Sequence, residues 1–363
     1  WFAEFYGVMR NGGFDVIIGN PPYVEYNQID KNYQIKSFET ISCGNLYAIV
    51  TERTIFISRH KTRQGLILPL SIISTERMRN IQSLLFKNKY DIWLSSFDVY
   101  PSKLFEGAKQ RLTIVLISYL GEGKIFTTKY NRWHSEERAF LFSNLIFCSS
   151  LYDQLLYVIP KLNSNLACSI LRKISKFKPV NFLNSGKSPS FYVHRIPYNY
   201  IKALDFIPHF YNEVDGQKRS SDYKQYFLAN EKDSKIVLAI INSNLFFWWW
   251  HTLYEGYHCG KHEVHSFPFG LESMNIFTKD KIKTLSSELM KDLNKNKSTK
   301  KCYYKRTGLV IYDEFYPRYS KFIIDQIDCA LAEHYGFSDE ELDYIINYDI
   351  KYRMGDNGAE DEA

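Results

Sequence analysis

The stretch of this chain best suited to chemistry is Asn20-Pro21-Pro22-Tyr23, which directly follows the short apolar run FDVIIG, Phe14–Gly19. An exocyclic amine conjugated to an aromatic ring is a poor nucleophile, because its lone pair is delocalised into that ring. Two acceptors that take both N–H bonds would hold such a nitrogen and help turn its lone pair out of the ring plane, toward an electrophile. The Asn20 side-chain oxygen can be one acceptor. The Pro21 carbonyl can be the other, since the Pro21-Pro22 unit has no N–H to compete and little backbone freedom to lose. Tyr23 adds an aromatic face on which a base drawn out of a helix can stack. The plainer alternative is a polar turn, because Asn-Pro starts turns and Pro-Pro stiffens them.

The elements around this tetrapeptide must hold it at a strand end. Phe14–Gly19 is a continuous apolar run closing on Gly, the pattern of a buried parallel strand that stops at a turn. Residues 45–59 carry a helical stripe through Leu46, Ile49, Val50, Ile55 and Ile57. Gly65–Leu70 is again a short strand, 75–87 a helix, and 91–100 and 111–119 are strands, the last rich in β-branched residues. The order β, α, β, α, β, β predicts half of a doubly wound α/β sheet, and open sheets of that kind bind ligands at the carboxyl ends of their strands. From about residue 145 the rhythm breaks into short irregular runs until 236–250, which marks a boundary near 145–165 and a second, α+β domain. The Lys-rich stretch 291–301 is expected to be a loop. A helix over 319–335 should end at Gly336, and Ser338 with Glu341 forms a capping box for a last helix.

Composition bounds the rest. The chain has 363 residues, of which 45% are apolar, 24% charged and 17% aromatic, enough for real cores and incompatible with a disordered tail or a disulfide-stapled miniprotein. The longest apolar run, Leu245–Trp250, is far short of the ~20 residues that span a bilayer, so a soluble protein without a membrane partner is expected. Up to residue 355 there are 46 Lys and Arg against 36 Asp and Glu, hence a formal charge of +10, and the acidic tail brings the whole to +6. That balance favours a polyanionic partner, and 28 Tyr, 26 Phe and 6 Trp offer flat faces for bases, although a solvated surface and ordinary core aromatics would give the same counts. The six cysteines, scattered without paired spacing, fit a reducing cytoplasm and imply no disulfide framework. The chain begins at Trp1 rather than Met, and the expectation is a portion of something longer.

With these residues in hand, the sequence resembles the N6-adenine DNA methyltransferases of restriction–modification systems, of the TaqI-like, γ-type motif order. The stretches FDVIIGNPPYVEY (14–26), NLYAIVTERTIFISRHKTRQGLILPLSII (45–73) and LFEGAKQRLTIVLIS (104–118) carry the resemblance. Residues 241–269 and 313–346 match those enzymes' target-recognition regions more loosely. The resemblance implies a fold in which the C-terminal half of a Rossmann-like methyltransferase sheet is followed by an α+β target-recognition domain and C-terminal helices. It implies a partial catalytic domain over 1–150, DNA target recognition over 160–300, a helical segment over 302–354 and a disordered tail over 355–363. Asn20, Pro21, Pro22 and Tyr23 take the catalytic roles, with Tyr23 stacking on the target adenine and Phe105 as a second aromatic against it. Asp15 and Gly19 match the family's strand as structural residues. The implied methyl donor is S-adenosylmethionine, the partner is double-stranded DNA and the location cytoplasmic. The family places the cofactor strand, glycine turn and ribose-gripping acid before this motif, yet only nineteen residues precede Asn20. The cofactor site, apart from Asn20 at its border, is therefore expected on a missing N-terminal segment or partner chain, and this chain alone should neither hold the cofactor well nor methylate DNA.

Other constellations are weaker. His258, Cys259, His262 and His265 lie close together, but zinc usually wants ligands from two separated elements, so no metal is expected. Glu122-Gly123-Lys124 has a nuclease-like shape without a convincing upstream Asp, and fits a hairpin turn better. Lys218 and Arg219, in a polar Gly-containing loop, and Lys261 are candidates for DNA contact, as are the lysines of 291–301, and a solvated surface explains them equally. Carbon-5 cytosine methylation is disfavoured, since it needs an attacking thiolate and no Pro-Cys pair occurs. Enzymes that methylate guanine amines in RNA or glutamine amides in proteins pose the same lone-pair problem, and a non-catalytic DNA-specificity module is the third alternative.

Overall fold

The run Phe14–Gly19 forms strand β1, and it is preceded by the one-turn helix α1 (Tyr6–Arg10). The structure, a computed structural model, describes residues 3–29, 35–86, 89–107, 109–150, 157–186, 188 and 190–355. Helix α2 (Leu46–Phe56) begins at Asn45, whose side chain accepts from the Tyr47 N–H, and it leads into strand β2 (Ser58–Pro69). Helices α3 (Ser71–Ser74) and α4 (Arg79–Phe86) precede strand β3 (Asp91–Phe97). Strands β4 (Leu112–Ser118), β5 (Ile125–Asn131) and β6 (Cys148–Ser150) follow. The order in the sheet is β1-β2-β4-β3-β5-β6. β1 runs parallel to β2 and β3 parallel to β5, while β4 is antiparallel to both β2 and β3. The sheet is thus mixed, and β1, β2, β3 and β5 all end on one side.

The sheet's core is Leu66, Leu68, Ile92, Leu94, Val115 and Ile117, packed beneath Tyr47, Ala48, Ile72, Ile81 and Leu85 of the helices. These positions alternate along β2, β3 and β4, as a sheet face requires. One sequence expectation is corrected here. β1 is parallel but not buried: it has one neighbour among the described residues, and Val16 and Ile18 are 57% and 83% exposed. An apolar run reads as a central strand, but a strand with a single partner leaves its other edge and flanks to solvent.

Residues up to Cys168, with Thr252–Glu255, make one compact unit; Ser169–His251 and the residues from Gly256 make a second. Helix α5 (Asn165–Ile174) runs across that division in the chain. In the second unit, strands β7 (Phe182–Leu183), β8 (Phe191–His194), β9 (Ala203–Leu204) and β12 (Tyr223–Leu228) form an antiparallel sheet in the order β7-β12-β8-β9. Strands β10 (Phe210–Asn212), β11 (Gly216–Gln217), β13 (Ser298–Tyr304) and β14 (Gly308–Glu314) form another, ordered β11-β10-β14-β13. Helix α6 (Ser234–Ile241) is buried from Ile236 to Ile241, and α7 (Asn244–Leu253) follows it. The start of α7 is capped from a distance: the Asp328 carboxylate accepts from the Asn244 N–H at 3.1 Å and the Leu245 N–H at 3.0 Å. Burial raises the Asp328 carboxyl to about 7. Helices α8 (Lys261–Ser266), α9 (Ile276–Lys295), α10 (Lys321–Tyr335), α11 (Asp339–Ile346) and α12 (Ile350–Arg353) complete the unit.

Gly336 ends α10 in the left-handed region, and the Ser338–Glu341 box opens α11, both as the sequence predicts. The stretch 291–301 is not a loop. It is the last turn of α9 and the start of β13, because Leu289 and Leu293 extend the buried face of a 20-residue helix that the lysines decorate on the outside. Residues 302–314, expected in a helical segment, are likewise strand. The tail 356–363 lies outside the described residues. No single helix among the described residues is long and apolar enough to cross a membrane; α6 and α7 reach that length only as a pair bent by 71°. The six cysteines are free thiols.

Candidate active site

The carboxyl ends of β1, β2, β3 and β5 bring four chain segments to one end of the first sheet: Asn20–Tyr23, the turn after Pro69, Asp98–Val99 and Arg132–Trp133. β4 enters the sheet there, so Arg111 joins them. Of the tetrapeptide, Asn20 and Pro22 are exposed, Pro21 is buried and Tyr23 is half-buried.

The Tyr23 hydroxyl lies 2.6 Å from Asn20 Oδ1 and 2.9 Å from the Ile67 carbonyl oxygen. One phenolic proton can be donated to one of these at a time. Donated to Ile67, it ties the ring to β2; donated to Asn20, it holds Oδ1 in place. Partial burial pushes the Tyr23 phenol up to about 12, so it keeps its proton at neutral pH. The ring meets Tyr47 edge to face at 6.3 Å and 87°. It also packs against a small cluster of Phe97, Leu104, Leu112, Trp133 and Leu141. Among the described residues the Pro21 carbonyl accepts no hydrogen bond.

The residues after Tyr23 fasten the loop to the start of α2. The Leu46 N–H donates to the Val24 carbonyl at 2.9 Å, and the Tyr26 N–H to the Gly44 carbonyl at 2.9 Å. Glu25 accepts from Asn45 Nδ2 at 3.3 Å and pairs with Arg77, and that guanidinium holds the Glu25 carboxyl below its ordinary range. Gly44 sits at the crossing with φ +68°, in the left-handed region that favours glycine.

A buried ionic cluster braces the loop between β3 and β4. Asp98 lies 3.0 Å from Arg111 Nε and 3.8 Å from Arg132 Nε, and all three side chains are nearly sequestered. The Val99 N–H donates to Asp98 Oδ1 at 2.7 Å, and Arg132 Nε donates to the Tyr100 carbonyl at 3.3 Å. Leu104 enters the cluster that Tyr23 borders, while its neighbour Phe105 is 39% exposed. Sequence reasoning missed Tyr47, Asp98, Arg111 and Arg132. The only signal was a charged residue at one end of each of the two apolar strands β3 and β4, for Asp98 and Arg111; Arg132 follows the polar strand β5 and had none.

The remaining candidates fall elsewhere. Asp15 is ion-paired to Arg59 on the flank of β1. Glu122 and Lys124 sit in a turn whose N–H groups both donate to Asp91 Oδ1 at 2.9 Å, so the Asp a nuclease would need is occupied by backbone. In the second unit, Lys218 pairs with Asp215, Arg219 is exposed, and Lys261 is the exposed first residue of α8. The HCGKHEVH side chains diverge: Cys259 is buried and its N–H donates to the Arg195 carbonyl, while the His265 ring stacks on Phe182 at 4.3 Å. No three His, Cys, Asp or Glu among the described residues are placed to hold a metal.

The residues present do not fit a complete pocket for a nucleoside-like methyl donor. The edge of β1 beyond Asn20 is open, with Ile18 83% exposed, and Gly12 and Gly13 lie in the turn that enters β1 rather than in one that leaves a strand. The site offers two oxygen acceptors and an aromatic ring at a strand end.

The Eco57I restriction-modification methylase family model matches residues 1–105. The type II restriction enzyme and methyltransferase RM.Eco57I of Escherichia coli is 27% identical over 171 residues, 44% of this chain, and the chain covers 17% of that protein's length. Among solved structures, the type IIL restriction-modification enzyme MmeI in complex with DNA aligns over 93% of this chain and 57% of its own, at 11% identity and a TM-score of 0.47. The type IIG restriction endonuclease BpuSI aligns over 92% and 54%, at 10% identity and a TM-score of 0.29.

Proposed function

We propose that this chain carries the base-holding half of a restriction–modification DNA methyltransferase that acts on the N6 amine of a flipped adenine. The observation that carries this reading is the acceptor pair at the end of β1, with Asn20 Oδ1 oriented by Tyr23 and the Pro21 carbonyl unengaged. The family match over 1–105, which spans the tetrapeptide, supports it.

Each step assigned to this chain is a holding step. Asn20 Oδ1 accepts one amine N–H; it has two acceptor sites, so the Tyr23 hydroxyl that orients it need not leave. The Pro21 carbonyl accepts the other N–H, and Pro22 keeps the turn stiff. Tyr23 stacks on the adenine, and Phe105, from the loop braced by Asp98, closes on it from another side. Catalysis on this side of the reaction is positioning, with the nitrogen lone pair aimed at the electrophile. The methyl donor is S-adenosylmethionine, held by strands of an upstream segment or partner chain that add to the open edge of β1. Residues 1–150 then form part of the catalytic domain, 160–300 a target-recognition domain and 302–354 a segment that is helical after β14, with Lys218, Arg219 and Lys261 on the DNA side.

The test is to incubate the gene product containing this chain with labelled S-adenosylmethionine and, in separate reactions, duplex DNA, RNA or protein, then digest each to nucleosides or amino acids. Label in N6-methyladenine is expected. Label in RNA guanine or protein glutamine, with none in DNA, would overturn the assignment.

A further inference from the structure

The most prominent unexplained feature of the second unit is the ribbon of β13 and β14. The two strands pair without interruption from Ser298↔Glu314 to Tyr304↔Gly308. The base is well anchored: Lys297 Nζ lies 2.8 Å from Asp313 Oδ2, Thr299 Oγ1 donates to Asp313 Oδ1 at 3.2 Å, and Ser298 shares a hydrogen bond with Tyr316. The tip is closed by Lys305, Arg306 and Thr307, and Gly308 follows at φ +66°, where a Cβ would collide with Glu213. That glycine lets the neighbouring β10–β11 turn dock beside the ribbon, with the Leu309 N–H donating to Glu213 Oε2 at 2.9 Å.

β10 pairs with β14 on its other side, so β13 is the outer edge of the four-stranded sheet, and its side chains towards the turn are exposed. Successive residues of a strand face opposite sides, yet Tyr303 is 77% and Tyr304 50% exposed, so neither face is covered there. Leu309, opposite Tyr303, is also exposed. Two tyrosines left this exposed on the edge strand of a sheet add little to folding, since they bury little surface. The charge is equally one-sided: from 293 to 312 there are six Lys and Arg and no Asp or Glu. Lys301, Lys305 and Arg306 are exposed and meet no acid among the described residues. The nearby acids are engaged, Glu213 by the Leu309 N–H and Asp215 by Lys218.

We propose that the edge strand β13 and the turn into β14 are a DNA-docking surface, with Lys301, Lys305 and Arg306 on phosphates and Tyr303 and Tyr304 against sugars and base edges. Exposed cations flanking exposed aromatic rings complement a polyanion with flat apolar edges. The choice of DNA as the polyanion rests on the methyltransferase reading; the exposure and the charge do not.

The test uses the purified chain, a fluorescent duplex of about 30 base pairs and no methyl donor, with affinity followed by anisotropy between about 50 and 200 mM salt. The variant Lys301→Ala/Lys305→Ala/Arg306→Ala should flatten the slope of log K against log salt by about 2.7, so that wild type loses about 40-fold more affinity than the variant across that range. Tyr303→Ala/Tyr304→Ala should weaken binding and leave the slope unchanged. Arg172→Ala/Lys176→Ala/Lys232→Ala, which removes the same charge at exposed positions elsewhere, should keep the wild-type slope. These side chains are exposed, and matching thermal melts verify that each variant is folded. The proposal is overturned by absence of duplex binding in wild type, by an unchanged slope in the ribbon variant, by an equal effect of the control variant, or by polyglutamate competing as well as DNA at equal charge. A failed methyltransferase reading would leave this binding intact, and a failed ribbon would leave Asn20-dependent methylation intact.

Discussion

Replacing Tyr23 with Phe separates the two jobs that its side chain performs. The hydroxyl orients Asn20 Oδ1 at 2.6 Å and contacts the Ile67 carbonyl at 2.9 Å, while the ring packs against Tyr47 and the Phe97–Trp133 cluster and presents a face to the site. The phenol donates one proton, so Tyr23→Phe removes one net hydrogen bond, about 1 kcal/mol, and somewhat less because exposed Asn20 finds water. In a unit of this size that lowers the melting temperature by about 2–4 °C. The ring stays, so stacking on a flipped base is kept, and methyl transfer by the gene product should fall by less than about tenfold. Tyr23→Ala also removes the stacking face, worth about 1–3 kcal/mol per base, and should cost a further 5- to 150-fold. Thermal denaturation and methyl transfer from labelled donor, measured in parallel on both variants, give the comparison. Equal loss of transfer in Phe and Ala would refute the assignment of the ring as the working part, and an unchanged melting temperature in Phe would refute the hydroxyl as an anchor.

Asp98→Asn leaves two nearly buried guanidinium groups short of their counter-charge, which should destabilise the first unit by about 3–5 kcal/mol, read as a lower denaturant midpoint, and should loosen the Phe105 loop to proteolysis. Lys161 is buried, with Nζ 2.8 Å from the Tyr254 carbonyl and over the Tyr130 ring, and burial brings its ammonium down to about 7 from 10.5. Its folded pKa lies below its unfolded one, so the native state binds fewer protons between those values and stability rises with pH through that window. Relative to Lys161→Met, the wild type should therefore gain ~2 kcal/mol between about pH 7 and pH 9 in denaturant titrations, and parallel pH profiles would contradict this.

The parts of the fold that were legible are those whose reason is local. β1, α2, β3 and β4 are apolar runs of the right period, and the Ser338 box and Gly336 cap are short-range chemistry. The features that stayed hidden depend on partners distant in the chain. β5, with Thr127, Thr128, Lys129 and Asn131, is too polar to announce itself, and it is a strand because β3 and β6 flank it. The lysines of 291–301 masked a helix end and a strand because charged residues coat the outside of both. Tyr47 meets Tyr23 across 24 residues, and Asp328 caps α7 from more than 80 residues away. The place of the tetrapeptide at the end of β1 was legible, but the contact of Tyr23 with the Ile67 carbonyl requires β2 to lie beside β1.

The central claim, that Asn20 holds the reacting amine, is tested most directly by Asn20→Ala in the gene product containing this chain, with methyl transfer and DNA binding measured on the same preparation. Asn20 is exposed, so the fold should survive the change. The account predicts that transfer of labelled methyl to adenine is lost while duplex affinity stays within a few-fold of wild type. Transfer that persists at the wild-type rate in the Asn20→Ala protein would contradict it.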